Sequence, residues 1–156
     1  KDDSIYYFHH KSGFNYRFGN INAAVGFAQL KKLEKFIKEK EKIHKFYKKE
    51  ISKMKNFSIL EYSEFVNTNY WLNLIKFNTN HIKLKKLISI FITNSIEVRA
   101  VWYPNHLQKP FRKYQNFRIS IANKIKDEYI CIPSSSFLKN NQIFRVINLL
   151  KSLDSA

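Results

Sequence analysis

Glycine is nearly missing from this chain: Gly13, Gly19 and Gly26 are its only three, and all fall between residues 13 and 30. Backbone geometry that needs positive φ, or very close approach by another backbone or a ligand, is therefore expected in that one span. Cysteine occurs once, at Cys131, which excludes an internal disulfide framework and fits a reducing compartment. Acidic residues are scarce, 12 Asp and Glu against 28 Lys and Arg. No apolar run reaches the length of a membrane span, the longest candidate lying around Leu87 to Ile92, and nothing at the start reads as a signal peptide. A cytoplasmic location without membrane attachment is expected. Also missing are a Gly-x-Ser-x-Gly elbow, a P-loop, a dinucleotide fingerprint and any zinc-ligand spacing. Ser134 to Ser136 with His106 therefore read as turns rather than hydrolase parts, and the adjacent His9 and His10 are not spaced as a metal pair.

What is present describes one globular unit. The 156 residues are enough for one core, and 44% hydrophobic with 16% aromatic content is too apolar for a disordered chain. A formal charge of +16 suggests nucleic acid, an anionic surface or an acidic ligand. Nearly all of that charge is lysine, however, the arginines being only Arg17, Arg99, Arg112, Arg118 and Arg145. Base and phosphate recognition favours clustered arginine, so nucleic acid is not the expected partner. The lysines follow a Lys, Asn, Ile and Phe excess that reads as genome composition.

Hydrophobic spacing predicts an α/β chain. From Asn20, taken as an N-cap, Val25, Leu30, Leu33 and Ile37, then Ile43, Tyr47, Ile51 and Met54, mark a helical face. This is one long helix or two helices meeting near residue 40, where Lys40 and Glu41 interrupt the stripe. Its lysines face solvent, and Glu34 with Lys38 and Glu41 with Lys45 have the order of surface ion pairs. Strands are predicted at Thr68 to Phe77, Ile96 to Tyr103 and Tyr129 to Ile132, and helices at His81 to Thr93, Phe117 to Tyr129 and Asn140 to Leu153.

Breaker residues set off three loops, at 13 to 19, 102 to 111 and 133 to 137. The first offers Asn15, Tyr16 and Arg17 just before a helix. It is either a capped turn or a place where donors and a helix N-terminus receive an anion. The second, together with the strand end that leads into it from Val98, holds Arg99, Trp102, Tyr103 and His106. It is either an aromatic core strand with an exposed arginine or a surface that binds carboxylate, phosphate or sugar.

Gly13-Phe14-Asn15-Tyr16-Arg17, followed by Asn20-Ile21-Asn22-Ala23-Ala24-Val25-Gly26-Phe27-Ala28-Gln29-Leu30-Lys31-Lys32-Leu33, resembles the signature of the DegT/StrS family of pyridoxal-phosphate (PLP) sugar aminotransferases. The Val98 to Phe111 segment resembles that family's late motif, with Ala100 where proline is usual. Thr68 to Asn73 and Ile130 to Ser135 resemble the branch that aminates the 4-keto position of UDP-linked sugars on the way to nonulosonic acids such as legionaminic acid.

The resemblance runs from about His10 to the last helix but matches only the C-terminal part of a family member. It implies the small domain of a fold-type-I PLP aminotransferase, a long N-terminal helix followed by alternating strands and helices on a small sheet. Residues 1–38 would be the tail of the large PLP-binding domain, carrying the dimer and cofactor loop, and residues 39–156 the C-terminal small domain. It implies that Asn15 donates to the PLP phosphate held by the other subunit of a homodimer, with Tyr16 and Arg17 close to cofactor or substrate. Arg99, Trp102 and His106 would face the sugar nucleotide. The Schiff-base lysine stands in no motif of this chain, so no catalytic residue is assigned and the chain alone is expected to be inactive. In the intact enzyme an amino group would pass from glutamate to a keto-sugar nucleotide for cell-surface polysaccharide. The alternative is a non-enzymatic basic α/β module that binds a protein partner or nucleic acid.

Overall fold

The computed structural model describes residues 7–155. Two helices come first, α1 (Asn20–Leu30) and α2 (Leu33–Ile51). The chain then alternates through β1 (Phe57–Ile59), β2 (Asn73–Phe77), α3 (Leu84–Thr93), β3 (Arg99–Ala100), α4 (Ser120–Glu128), β4 (Tyr129–Ile132) and α5 (Asn140–Asp154), with a short 3-10 turn at Asn105–Leu107. The strands form one sheet in the order β1-β2-β4-β3, every neighbouring pair antiparallel.

The helical stripe does break, but at Lys31 and Lys32 rather than near residue 40. Lys32, at φ −111° and ψ 4°, leaves helical geometry, while α2 runs without interruption through Lys40 and Glu41. Ile43, His44, Tyr47 and Ile51 are the buried face of α2, at the spacing that puts residues over one another. On the outer face Glu41 pairs with Lys45 at 2.7 Å, as expected, whereas Glu34 and Lys38 form no ion pair among the described residues.

Of the predicted strand at 68 to 77, only Asn73–Phe77 pairs. Tyr70 sits at φ 50°, and the side chains of Thr68 and Asn69 accept from the N–H groups of Tyr70 and Trp71. These local side-chain bonds replace ladder bonds and turn the backbone. The short β1 was not expected; its Phe57 and Ile59 are buried on either side of exposed Ser58, and it pairs with β2 as Phe57↔Phe77 and Ile59↔Ile75. The predicted strand at 96 to 103 shrinks to Arg99 and Ala100 on the sheet edge, opposite Cys131 and Ile130. The helix expected from Phe117 starts at Ser120, because Arg118 adopts φ 49°.

α2, α3 and α5 contribute Tyr47, Ile51, Leu87, Phe91, Val146, Ile147 and Leu150 to a core closed by Ile75, Phe77 and Ile130 of the sheet, all at most 2% exposed. Each such side chain stabilises the fold by roughly 1.5–3 kcal/mol relative to exposure. α1 is different: none of its residues is buried.

Candidate functional site

The loop before α1 stands clear of the rest of the chain. Phe14, Tyr16 and Phe18 are 86%, 89% and 73% exposed. Asn15 Oδ1 accepts from the Arg17 N–H at 2.9 Å, an Asx turn that holds Arg17 at φ 66°. Left-handed backbone in this stretch thus belongs to Arg17, and no glycine of the chain has positive φ. A Cβ added at Gly13 or Gly19 would meet nothing within 4 Å, whereas one at Gly26 would lie 3.6 Å from the ring of Phe18. The helix is capped by Gly19, not by Asn20, and has no side-chain cap. Its first intrahelical bond runs from the Ala23 N–H to the Gly19 carbonyl, so the amides before Ala23 lack intrahelical partners. Asn15 keeps its amide donors, and Arg17 has no carboxylate within ion-pair distance among the described residues. Free donors, a cation and a helix N-terminus fit the phosphate end of PLP.

The second group lies across the domain. A cavity of about 500 Å³ opens between α2, the β3 edge, the turn after β4 and α5, with Arg99, Lys40, Arg145 and Trp71 in its wall. Arg99 gives Nε and Nη2 to one carboxylate oxygen of Glu97, at 2.9 and 2.6 Å, and Nη1 to the Tyr7 hydroxyl at 3.1 Å. Trp102 packs against Trp71 with ring centroids 5.3 Å apart and planes tilted by 32°. His106 is not in this wall; its Nε2 donates to Asn123 Oδ1 at 2.8 Å, tying the 3-10 turn to α4. Arg99 and Trp102 are thereby brought together through Trp71, while His106 and the 15–17 loop are separate from them.

Three residues that organise this region escaped the sequence reading. Lys40 donates to the carbonyls of Trp71 and Ser134, joining the loop before β2 to the turn after β4. Burial lowers its pKa from the ordinary lysine value. The break in the apolar stripe at Lys40 was its signal, and it marks a lysine turned to the cavity wall rather than a helix end. Asn73, 1% exposed, links His44 to Ser134. Gln108, 3% exposed, accepts from the His9 N–H at 2.7 Å and donates to the Tyr7 carbonyl at 2.7 Å, pinning the N-terminal aromatic strip to the Pro104 to Pro110 loop. Neither Asn73 nor Gln108 had a periodicity to give it away. Burial pushes the Cys131 thiol up to about 11, so it is not a nucleophile near neutral pH. Among the described residues no cluster could hold a metal, and no helix is long and apolar enough to cross a membrane.

A small antiparallel sheet backed by helices, preceded by a donor-bearing loop and an unburied helix, makes this an α/β domain. The chain belongs to the DegT/DnrJ/EryC1/StrS aminotransferase family, whose model matches residues 1–151. It is 33% identical over 141 residues to the GDP-perosamine synthase of Escherichia coli O157:H7, covering 90% of this chain and 37% of that enzyme. EpsN of Bacillus subtilis, named as a pyridoxal phosphate-dependent aminotransferase, is 28% identical over 158 residues, 98% of this chain and 40% of that protein. A UDP-4-amino-4,6-dideoxy-N-acetyl-beta-L-altrosamine transaminase of Campylobacter jejuni is 27% identical over 123 residues, 78% of this chain and 33% of that enzyme. Among solved structures, S. venezuelae DesV superposes with a TM-score of 0.78 at 16% identity, covering 99% of this chain and 41% of DesV. That likeness shows the fold. The chain spans about two fifths of the length of the relatives it matches.

Proposed function

We propose that this chain forms the C-terminal part of a PLP-dependent aminotransferase acting on a nucleotide sugar. The observation that carries this reading is the exposed loop of Asn15, Tyr16 and Arg17, whose Asn15 amide donors and Arg17 guanidinium have no hydrogen-bond or ion-pair partner among the described residues. On this reading residues 1–38 extend a larger cofactor-binding domain and residues 39–156 form the small domain. The burial pattern supports that division, since residues 9–35 are exposed throughout and, among the described residues, the first buried one is Ile43.

The Asn15 amide and the Arg17 guanidinium would hold the phosphate of PLP across the interface of a homodimer, with Tyr16 beside them. When bound there, PLP supplies an electron sink for amino-group transfer. Arg99 and Trp102 would orient the nucleotide sugar, Arg99 by exchanging its exposed Glu97 for an anion and Trp102 by offering an aromatic face. His106, whose ring is oriented by Asn123, would border the same substrate. Glutamate is the amino donor in this reading, and a UDP-linked 4-keto sugar destined for cell-surface polysaccharide is the acceptor that the strand motifs favour. The relatives' names cover GDP- as well as UDP-linked sugars.

In the full-length protein, Asn15→Ala should weaken PLP retention by about tenfold, as expected for loss of a charge-assisted hydrogen bond. Unchanged cofactor affinity, measured by absorbance after gel filtration, would remove Asn15 from this role. The 156-residue chain alone should show neither a lysine–PLP absorbance band nor a half-reaction with glutamate.

A further inference from the structure

The formal charge of +16 has no part in the chemistry proposed above, and one stretch carries it without any acid in reply. Between Glu97 and Asp127 the sequence has neither Asp nor Glu, and those two acids are taken by Arg99 and Lys126. Lys109, Arg112, Lys113, Arg118 and Lys124 are left with no carboxylate partner among the described residues. A lysine excess from genome composition does not account for this, since Arg99, Arg112 and Arg118 are three of the chain's five arginines. Large apolar side chains stand among the cations, Phe117 and Ile121 being 76% and 70% exposed. Residues 111–118 are exposed throughout, with Lys113 over the ring of Tyr114 and Arg118 over that of Phe117. Next in the chain, α4 buries none of its residues, and its Ile121, Lys124 and Ile125 share one helical face.

We propose that the 109–126 stretch seats the protein on an anionic phospholipid surface, its unpaired cations against the headgroups and Phe117 and Ile121 in the boundary beneath them. Charge complementarity selects the partner, because a surface of one negative sign meets five cations and no acid. A cation lying over a ring holds its charge at headgroup level while the ring enters the apolar layer. Single-stranded nucleic acid is also polyanionic, but it binds by stacking bases on rings, and the exposed Ile121 has no ring to offer. Seating on a surface needs no spanning helix, so the missing apolar run behind the expectation of no membrane attachment does not bear on it. None of these cations or apolar side chains has a role in the amino-group transfer proposed above, so membrane seating stands apart from that reading.

The test is flotation of the 156-residue chain with vesicles of phosphatidylcholine alone or mixed in equal parts with phosphatidylglycerol. The chain should float with the mixed vesicles only, and added salt should release it by screening the exposed charges. Arg112→Gln/Lys113→Gln should weaken binding by about tenfold or more, and Phe117→Ser/Ile121→Ser by about tenfold. Lys85→Gln/Lys86→Gln, at exposed lysines of α3, should weaken it by less than about threefold, since they lie outside the stretch. Phe27→Ser tests the exposed α1 as a rival contact and should change binding by less than about twofold. No flotation, equal binding to phosphatidylcholine alone, equal losses in the two cation pairs, loss with Phe27→Ser, or full retention by Phe117→Ser/Ile121→Ser would each overturn the proposal. Tighter binding to an oligouridylate than to the mixed vesicles, lost in Arg112→Gln/Lys113→Gln, would overturn it in favour of nucleic acid.

Discussion

Asn73 Oδ1 accepts from Nδ1–H of His44 at 2.8 Å, pairing two side chains buried inside the fold. The remaining amide of Asn73 donates to Ser134 Oγ at 3.1 Å, which also accepts from the Asn73 N–H and donates to the Ile132 carbonyl. A helix, a strand and the turn beyond β4 are thereby joined by a buried chain of hydrogen bonds. The His44 ring, packed against Tyr62 and Tyr70, is held in its Nδ1–H form.

Asn73→Leu should lower stability to urea by about 2–4 kcal/mol, because it strands both His44 and Ser134 without removing their need for partners. The double variant His44→Leu/Asn73→Leu should recover part of that loss. A double-mutant cycle with no coupling would show that the two side chains act independently.

Tyr47 presents the opposite case. It is fully buried in α2, and its hydroxyl is the one buried side-chain polar atom without a partner among the described residues. Burial pushes its ionisation well above the ordinary tyrosine range. Tyr47→Phe removes an unmet hydrogen-bonding requirement at nearly constant shape and should raise stability by up to about 1 kcal/mol. A loss of that size would instead reveal a partner for the hydroxyl.

Ser95 ends α3 in the left-handed region at φ 56°, where its N–H bonds to the Ile92 carbonyl and the next N–H, of Ile96, reaches Phe91. This is a helix stop that usually carries glycine. Ser95→Gly should therefore stabilise the chain by about 0.5–1 kcal/mol, the relief of left-handed strain exceeding the added freedom of the unfolded chain. Thermal unfolding checks the sign.

These cases show how far the residues alone disclose the molecule. The helices at 140 to 154 and 84 to 93 and the strand at 129 to 132 were legible because apolar spacing and burial coincide there. Thr68 to Leu72 and Ile96 to Tyr103 were not, since alternating hydrophobics also fit a loop whose backbone is bent by Thr68, Asn69 and Ser95. The loop of Asn15 to Arg17 was legible as a candidate site because its polar groups cluster in sequence. The cavity was not: Lys40 and Arg145 lie 105 positions apart and share one wall only when α2 and α5 flank it.

Acid should unfold the chain partly through Glu50. Hydrogen bonds from Lys151 and then Lys53 lower its pKa from the ordinary 4.5 to about 2. A carboxylate with a depressed folded-state pKa contributes its stability above the unfolded value, and loses it as pH falls through the folded one. Stability should accordingly decline between pH 4.5 and about 2, and Glu50→Gln should flatten that part of the curve. An unchanged slope in urea titrations across this window would remove Glu50 from acid sensitivity.

α1 should behave as a passenger of the core. Ile21, Val25, Phe27 and Leu30 are 81%, 57%, 62% and 64% exposed, and a helix of 11 residues has little stability of its own without a packed face. Amides of residues 20–30 should therefore exchange with solvent orders of magnitude faster than those of Ile143 to Leu150, whose buried face belongs to the core. Phe27→Ser should change the unfolding free energy of the chain by less than about 0.5 kcal/mol, as at a surface position. The same change at the buried Phe91 removes a core side chain and should cost about 3–5 kcal/mol. Strong protection in α1, or a Phe27→Ser loss approaching that at Phe91, would mean that this apolar helix is already packed within the chain and is not held out for another surface.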